Sequence, residues 1–114
     1  MDPTLPLSPQ VFHVLLALAD GPRHGYGIIQ DVERETDGAI RLGPGTLYGA
    51  LKRLLETGWV EETERRPDPA EDDERRRYYR LTTAGRRILA ADANRLANAV
   101  TRARRAGLLR PRPT

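Results

Sequence analysis

The apolar positions fall into four runs at helical spacing, separated by turn signals, with a stretch of alternation between the third run and the fourth. Val11, Phe12, Leu15, Leu16 and Ala19 recur on one helix face. Before them stands Ser8-Pro9, a hydroxyl able to cap free amides followed by a proline suited to the first helical turn. Asp20-Gly21-Pro22 ends the run. A second helix is predicted from His24 to Thr36, with Tyr26, Ile28, Ile29 and Val32 as its buried stripe. Gln30, Asp31, Glu33, Arg34 and Glu35 form its wet face, and Asp37-Gly38 closes it. Ala39 to Leu42 reads as a short extended piece able to add to a sheet edge. A third helix follows Gly43-Pro44-Gly45 and runs to Thr57, with Gly58 as its stop. Leu47, Leu51, Leu54 and Leu55 share one arc of it, Gly45, Gly49, Lys52, Arg53 and Glu56 lie opposite, and Thr46 and Tyr48 flank the seam.

The alternating stretch predicts two strands, Trp59 to Glu64 and Arg77 to Leu81, with Tyr79 and Leu81 on one face. Between them residues 65–76 are polar, contain two prolines and read as a long hairpin tip. Trp59 is expected to plug the core where helix meets hairpin. Thr82 or Thr83 can cap a last, long helix. In it Leu89, Ala93, Leu96, Val100 and Ala103 step by four, three, four and three, the seam of a coiled coil. No other long helix in the chain can pair with it, so a second copy is the expected partner; the alternative is a seam folded back on the first helix. Beyond Gly107, Arg110-Pro111-Arg112-Pro113 is expected to be a disordered tail.

Charge sharpens this picture. The formal net charge is only +3, but it is distributed unevenly. Residues 1–60 sum to −2, residues 61–74 to −6 and residues 75–114 to +11. A basic segment of this strength fits a polyanion, nucleic acid first among them; the bland alternative is a set of solvated arginine-rich helix faces. There is no cysteine, hence no disulfide, thiolate nucleophile or Cys-ligated metal. The longest apolar stretch, Val11 to Ala19, is far short of the ~20 residues of a membrane span. With no signal-like start, a cytoplasmic protein without membrane partners is expected. Enzymatic chemistry has little to stand on. His13 and His24 form no metal-site spacing, Gly43-Pro44-Gly45 does not continue into a nucleotide loop, and Ser8, the only serine, reads as a cap. No catalytic residue, metal site or cofactor is expected.

Helix, helix, helix and hairpin is the order of a winged helix-turn-helix, a mainly α fold with a small β-hairpin. The expected organisation is a DNA-binding domain over residues 1–82, a dimerisation helix over 83–107 and a tail over 108–114. A major groove ~12 Å wide admits one helix. Thr46 and Tyr48 offer hydroxyls to phosphate, and Lys52 and Arg53 reach base edges or backbone. Arg75, Arg76 and Arg77, on the returning side of the hairpin, would lie over the adjacent backbone or minor groove. Tyr48 has a competing role in packing beside Leu55, Tyr26 one between helices, and His24 one in structuring its turn.

Four blocks of the sequence also resemble one known family. They are His24-Gly25-Tyr26-Gly27-Ile28; Gly43-Pro44-Gly45-Thr46-Leu47-Tyr48 with Ala50-Leu51-Lys52-Arg53-Leu54; Glu56-Thr57-Gly58-Trp59-Val60; and Arg77-Tyr78-Tyr79-Arg80-Leu81-Thr82-Thr83-Ala84-Gly85. In order and spacing they look like the signature of PadR-type transcriptional regulators, in the short subtype with a single C-terminal helix. The resemblance implies a homodimeric repressor on a palindromic operator, often released by a small aromatic or drug-like effector. Carried over by position, it assigns DNA contact or site shaping to Tyr26, Thr46, Tyr48, Lys52 and Arg53, and a basic wing to Arg75, Arg76 and Arg77. It implies that the C-terminal helix crosses the partner subunit through Leu89, Ala93, Leu96, Val100 and Ala103. The chain departs from the family at Gly49, where a proline is common. It departs again at Glu71-Asp72-Asp73-Glu74, four carboxylates at the wing tip where phosphate would repel them. The rival reading from another class is a winged-helix module that docks a protein, which those carboxylates would suit.

Overall fold

The computed structural model describes residues 5–64 and 77–110. Along the chain run α1 (Pro9–Ala17), β1 (Arg23–His24), α2 (Gly25–Glu35), α3 (Pro44–Thr57), β2 (Val60–Thr63), β3 (Tyr78–Leu81) and α4 (Thr83–Arg105). Local chemistry explains most boundaries. Ser8 Oγ accepts from the Val11 amide to cap α1, and Pro9 occupies its first turn, where no amide is needed. His24 caps α2, its Nδ1 accepting from the Gly27 amide at 3.0 Å. Gly58 ends α3 in the left-handed conformation, φ 82°, which costs a glycine nothing. Thr82, rather than Thr83, caps α4 by accepting from the Gly85 amide.

Three strands form the described sheet, antiparallel in the order β1-β3-β2. The extra strand is a correction to the sequence reading. Ala39 to Leu42 adds to no sheet; Arg23 and His24 do, opposite Tyr79 and Tyr78. Residues 36–43 instead form the turn of the helix-turn-helix, where the Thr36 hydroxyl donates to the Val32 carbonyl and accepts from the Ile40 amide. β3 is thereby paired along both edges, and Tyr78, met by the His24 ring, and Tyr79 are both buried, while Leu81 is half-buried.

The core joins Val14, Leu15 and Leu18 of α1 and the turn after it, Ile28 and Val32 of α2, Leu47, Leu51 and Leu54 of α3, Val60, Tyr79 and Leu89. Trp59 packs against it, as expected for the junction of helix and hairpin. Two expected core positions lie elsewhere. Leu55 is exposed while Ala50 is buried, because α3 turns its seam toward α2 and β2. Tyr26 points outward and stacks over His24 rather than lying between helices. The sheet holds α4 at one end, where the Thr82 amide donates to the Trp59 carbonyl and the Thr82 hydroxyl to the Gly58 carbonyl. Arg86 reaches back to the Ala19 carbonyl at 3.0 Å and ties the first turn of α4 to the end of α1.

Candidate nucleic-acid interface

The outer face of α3 is polar, small and basic. Leu47, Ala50, Leu51 and Leu54 fix the rotation of the helix, which leaves Gly45, Thr46, Tyr48, Lys52, Arg53 and Glu56 exposed. Neither Lys52 nor Arg53 makes an ion pair with a described residue, so both charges are available to an outside partner. Arg53 lies back along the helix with Nη1 near the position a Cβ on Gly49 would take, at 3.8 Å.

Beside this face stands an aromatic ledge built by α2 and the sheet. The ring of Tyr26, 57% exposed, stacks on His24 at 6.5 Å between centroids and 8° between planes. The His24 ring meets the edge of Tyr78 at 5.4 Å. Tyr48 lies over the first turn of α2, its ring against Gly25, and remains half-exposed. Tyr48 therefore packs on α2. The Tyr79 phenol, next to it on the central strand, has its pKa raised above the ordinary tyrosine value. Burial is the main cause, reinforced by the Glu62 carboxylate and the Tyr48 phenol and opposed by the Arg77 guanidinium.

Charges around the ledge are paired. Asp31 holds Arg23 Nε at 3.1 Å and Arg34 Nη2 at 2.6 Å, bracing β1 against α2. Across the hairpin Arg80 pairs with Glu61 at 2.7 Å and Arg77 with Glu62 at 3.5 Å. Arg77 is therefore exposed but already beside a carboxylate, at the root of the wing. Arg75, Arg76, the acidic run Glu71 to Glu74 and the rest of the expected hairpin tip lie outside the described residues, as do residues 111–114 of the expected tail.

The C-terminal seam divides. Leu89 belongs to the core of its own chain, packed with α1. Ala93, Leu96 and Val100 are exposed and Ala103 half-exposed, a stripe that no described residue covers. Where the two regimes meet, Asp92 is 1% exposed, its Oδ1 accepting from Arg95 Nε at 2.7 Å and its Oδ2 without a hydrogen-bond partner among the described residues. No pattern along the chain signals this burial, since one acid in an arginine-rich helix reads as part of a wet face. Among the described residues no group of three His, Asp or Glu is disposed to hold a metal, and no helix is long and apolar enough to cross a membrane.

Comparison with known proteins agrees with this architecture. The chain is 45% identical over 84 residues to an uncharacterized 37.1 kDa protein in transposon TN4556 of Streptomyces fradiae. That match covers 74% of this chain but only 22% of the relative's length. It is 37% identical over 84 residues to the transcriptional regulator Rv3488 of Mycobacterium tuberculosis, covering 74% of this chain and 72% of that one. Among solved structures, Bacillus subtilis PadR in complex with operator DNA superposes with a TM-score of 0.59 at 19% identity, over 94% of this chain and 50% of that one. The family model of the PadR-like transcriptional regulators matches residues 14–91, from the first helix through the sheet into the last. With most of the fold and all four sequence blocks inside that match, the chain belongs to the PadR-like family of transcriptional regulators.

Proposed function

We propose that this protein is a homodimeric transcriptional repressor acting in the cytoplasm on a palindromic operator. Two copies pair through the exposed half of α4, and each delivers α3 to one of two successive major grooves ~34–36 Å apart. Lys52 and Arg53 contact base edges or backbone. Thr46, Tyr48 and Tyr26 bind phosphate or shape the surface that does, and Arg77, with Arg75 and Arg76, flanks the duplex. A small aromatic or drug-like effector lodged between the subunits changes the angle between the two winged domains and releases the DNA.

The observation that carries this reading is the outer face of α3. It presents Thr46, Lys52 and Arg53 exposed and without partners among the described residues, on the element that a helix-turn-helix inserts into the groove. The test is fluorescence anisotropy on duplexes from the chain's own upstream region across a salt series. Specific retention with a steep fall of log affinity against log salt is expected, because phosphate contacts release counterions. Lys52→Ala and Arg53→Ala should each weaken binding by ~1–3 kcal/mol where they read bases. A slope near zero, or unchanged binding by both variants, would place recognition on another surface.

A further inference from the structure

Gly25 is a glycine without a backbone reason to be one. It opens α2 immediately after its cap, it is not among the residues with positive φ, and alanine is the better helix former. What the position lacks is space. A Cβ built on Gly25 would overlap Tyr48 Oη and come within 2.7 Å of Cζ and 3.1 Å of Cε1. Gly27, on the same turn, faces only ordinary contacts, the nearest at 3.5 Å. The Tyr48 ring is thus seated on bare backbone of α2. Its own hydroxyl makes no hydrogen bond with a described residue, and the side chain is 48% exposed. The ring is held by shape, and the hydroxyl is left for an acceptor from outside.

We infer that Gly25 is a positioning residue for nucleic-acid binding: the missing side chain fixes where the Tyr48 hydroxyl meets a backbone phosphate oxygen. The inference rests on the DNA-binding reading above and adds to it a residue that itself touches no DNA. A tyrosine moves as a rigid plate on two torsions, so clearing one methyl at Gly25 swings the hydroxyl with it. A hydrogen bond between oxygens has a narrow range, 2.5–3.0 Å, and does not follow such a shift. Gly25→Ala therefore acts at a distance, through Tyr48, and its effect disappears once the hydroxyl is gone.

The experiment is a double-mutant cycle on the full chain, read by anisotropy on the upstream duplex and on an unrelated duplex, with thermal melts alongside. Tyr48→Phe is expected to weaken binding about tenfold, as for a hydrogen bond to a charged group, and equally on both duplexes, as for a phosphate contact. Gly25→Ala should weaken it by a similar factor, and the double variant should bind no worse than Tyr48→Phe alone. Gly27→Ala should bind like the wild type. Should Gly25→Ala fail to fold, Gly25→Ala combined with Tyr48→Ala gives the methyl the space the ring vacates. That variant must fold and bind as Tyr48→Ala does. Full binding by Tyr48→Phe or by Gly25→Ala, losses that multiply in either double variant, or a loss confined to the upstream duplex overturns the inference. Failure of the DNA-binding reading itself would show separately, in a wild-type chain that binds neither duplex.

Discussion

Gly85 and Tyr79 show how much of this molecule is set by single atoms. Gly85 lies in the first turn of α4 with its Cα against the carbonyl of Trp59, and a Cβ there would overlap that oxygen. The obstacle is backbone, and the same carbonyl already accepts from the Thr82 amide, so it has no free direction in which to yield. Gly85→Ala is expected to destabilise the fold by about 1–3 kcal/mol, the range for overpacking a tight site, measured by urea unfolding. Tyr79 makes a different prediction. Its pKa is raised, chiefly by burial, so the folded state holds the phenol proton more tightly than the unfolded chain does. Below a pH of about 10 both states keep the proton and the stabilisation is complete. As pH rises past that value the unfolded chain deprotonates first and stability falls. Melting temperature should therefore drop more steeply above pH 10 in the wild type than in Tyr79→Phe; parallel curves would show that burial does not hold the proton. The residue level also holds the plainest surprise. Asp92 is buried with one oxygen unpaired among the described residues, and nothing in its sequence neighbourhood distinguishes it from a solvated acid.

Among the elements, α4 depends most visibly on one side chain. Thr82 Oγ accepts from the Gly85 amide at 3.0 Å and donates to the Gly58 carbonyl at 2.6 Å, so a single hydroxyl caps α4 and fastens it to the end of α3. Thr82→Ala should cost about 1–2 kcal/mol, a lost cap plus an orphaned carbonyl, whereas Thr82→Ser keeps both bonds. Equal melting temperatures for the two variants would show the hydroxyl to be idle. Caps of this kind are why the helices were legible from sequence. Ser8-Pro9, Gly58 and the threonine pair are local signals, and a local signal needs no knowledge of the rest of the chain. What was not legible is non-local. Arg23-His24 is two residues long and shows no alternation, and it becomes a strand only because Tyr78 and Tyr79 come to lie beside it. Ala39 to Leu42, with better strand residues, is instead held in the turn between α2 and α3, where the Ile40 amide donates to the Thr36 hydroxyl. Period-two reasoning puts Tyr78 opposite Tyr79 and outside, and the His24 side chain that β1 brings alongside packs against it. In α3 the exposed set of Gly45, Lys52, Arg53 and Glu56 was legible because helical spacing fixes it once Leu47 and Leu51 point inward. The role of Gly25 was not, since no pattern in α2 reports what α3 lays across it.

At the scale of the whole molecule, the proposed dimer turns two modest binding surfaces into one specific reader. A single helix in a single groove makes few contacts; a second one at fixed spacing binds as an intramolecular partner, and the gain can reach 10²–10⁴ without any new contact. That gain depends on α4, whose distal stripe is apolar and open in one chain, with Leu96 36% and Val100 43% exposed. In a two-fold pair every substitution enters the interface twice. Leu96→Asp places two carboxylates in a seam that must dry on association, while leaving the core of each chain untouched. The wild type is expected to sediment at twice the 12.8 kDa chain mass at micromolar concentration, and Leu96→Asp at the chain mass itself. Its melting transition should lose its dependence on protein concentration, since only association couples stability to concentration. Binding to a duplex carrying both half-sites should then fall by a factor within that avidity range, while binding to a single half-site stays as it was. A Leu96→Asp chain that still sediments as a pair would mean that the copies meet elsewhere. One that separates yet keeps its affinity for the full operator would mean that each winged domain reads DNA alone and the spacing set by α4 contributes nothing.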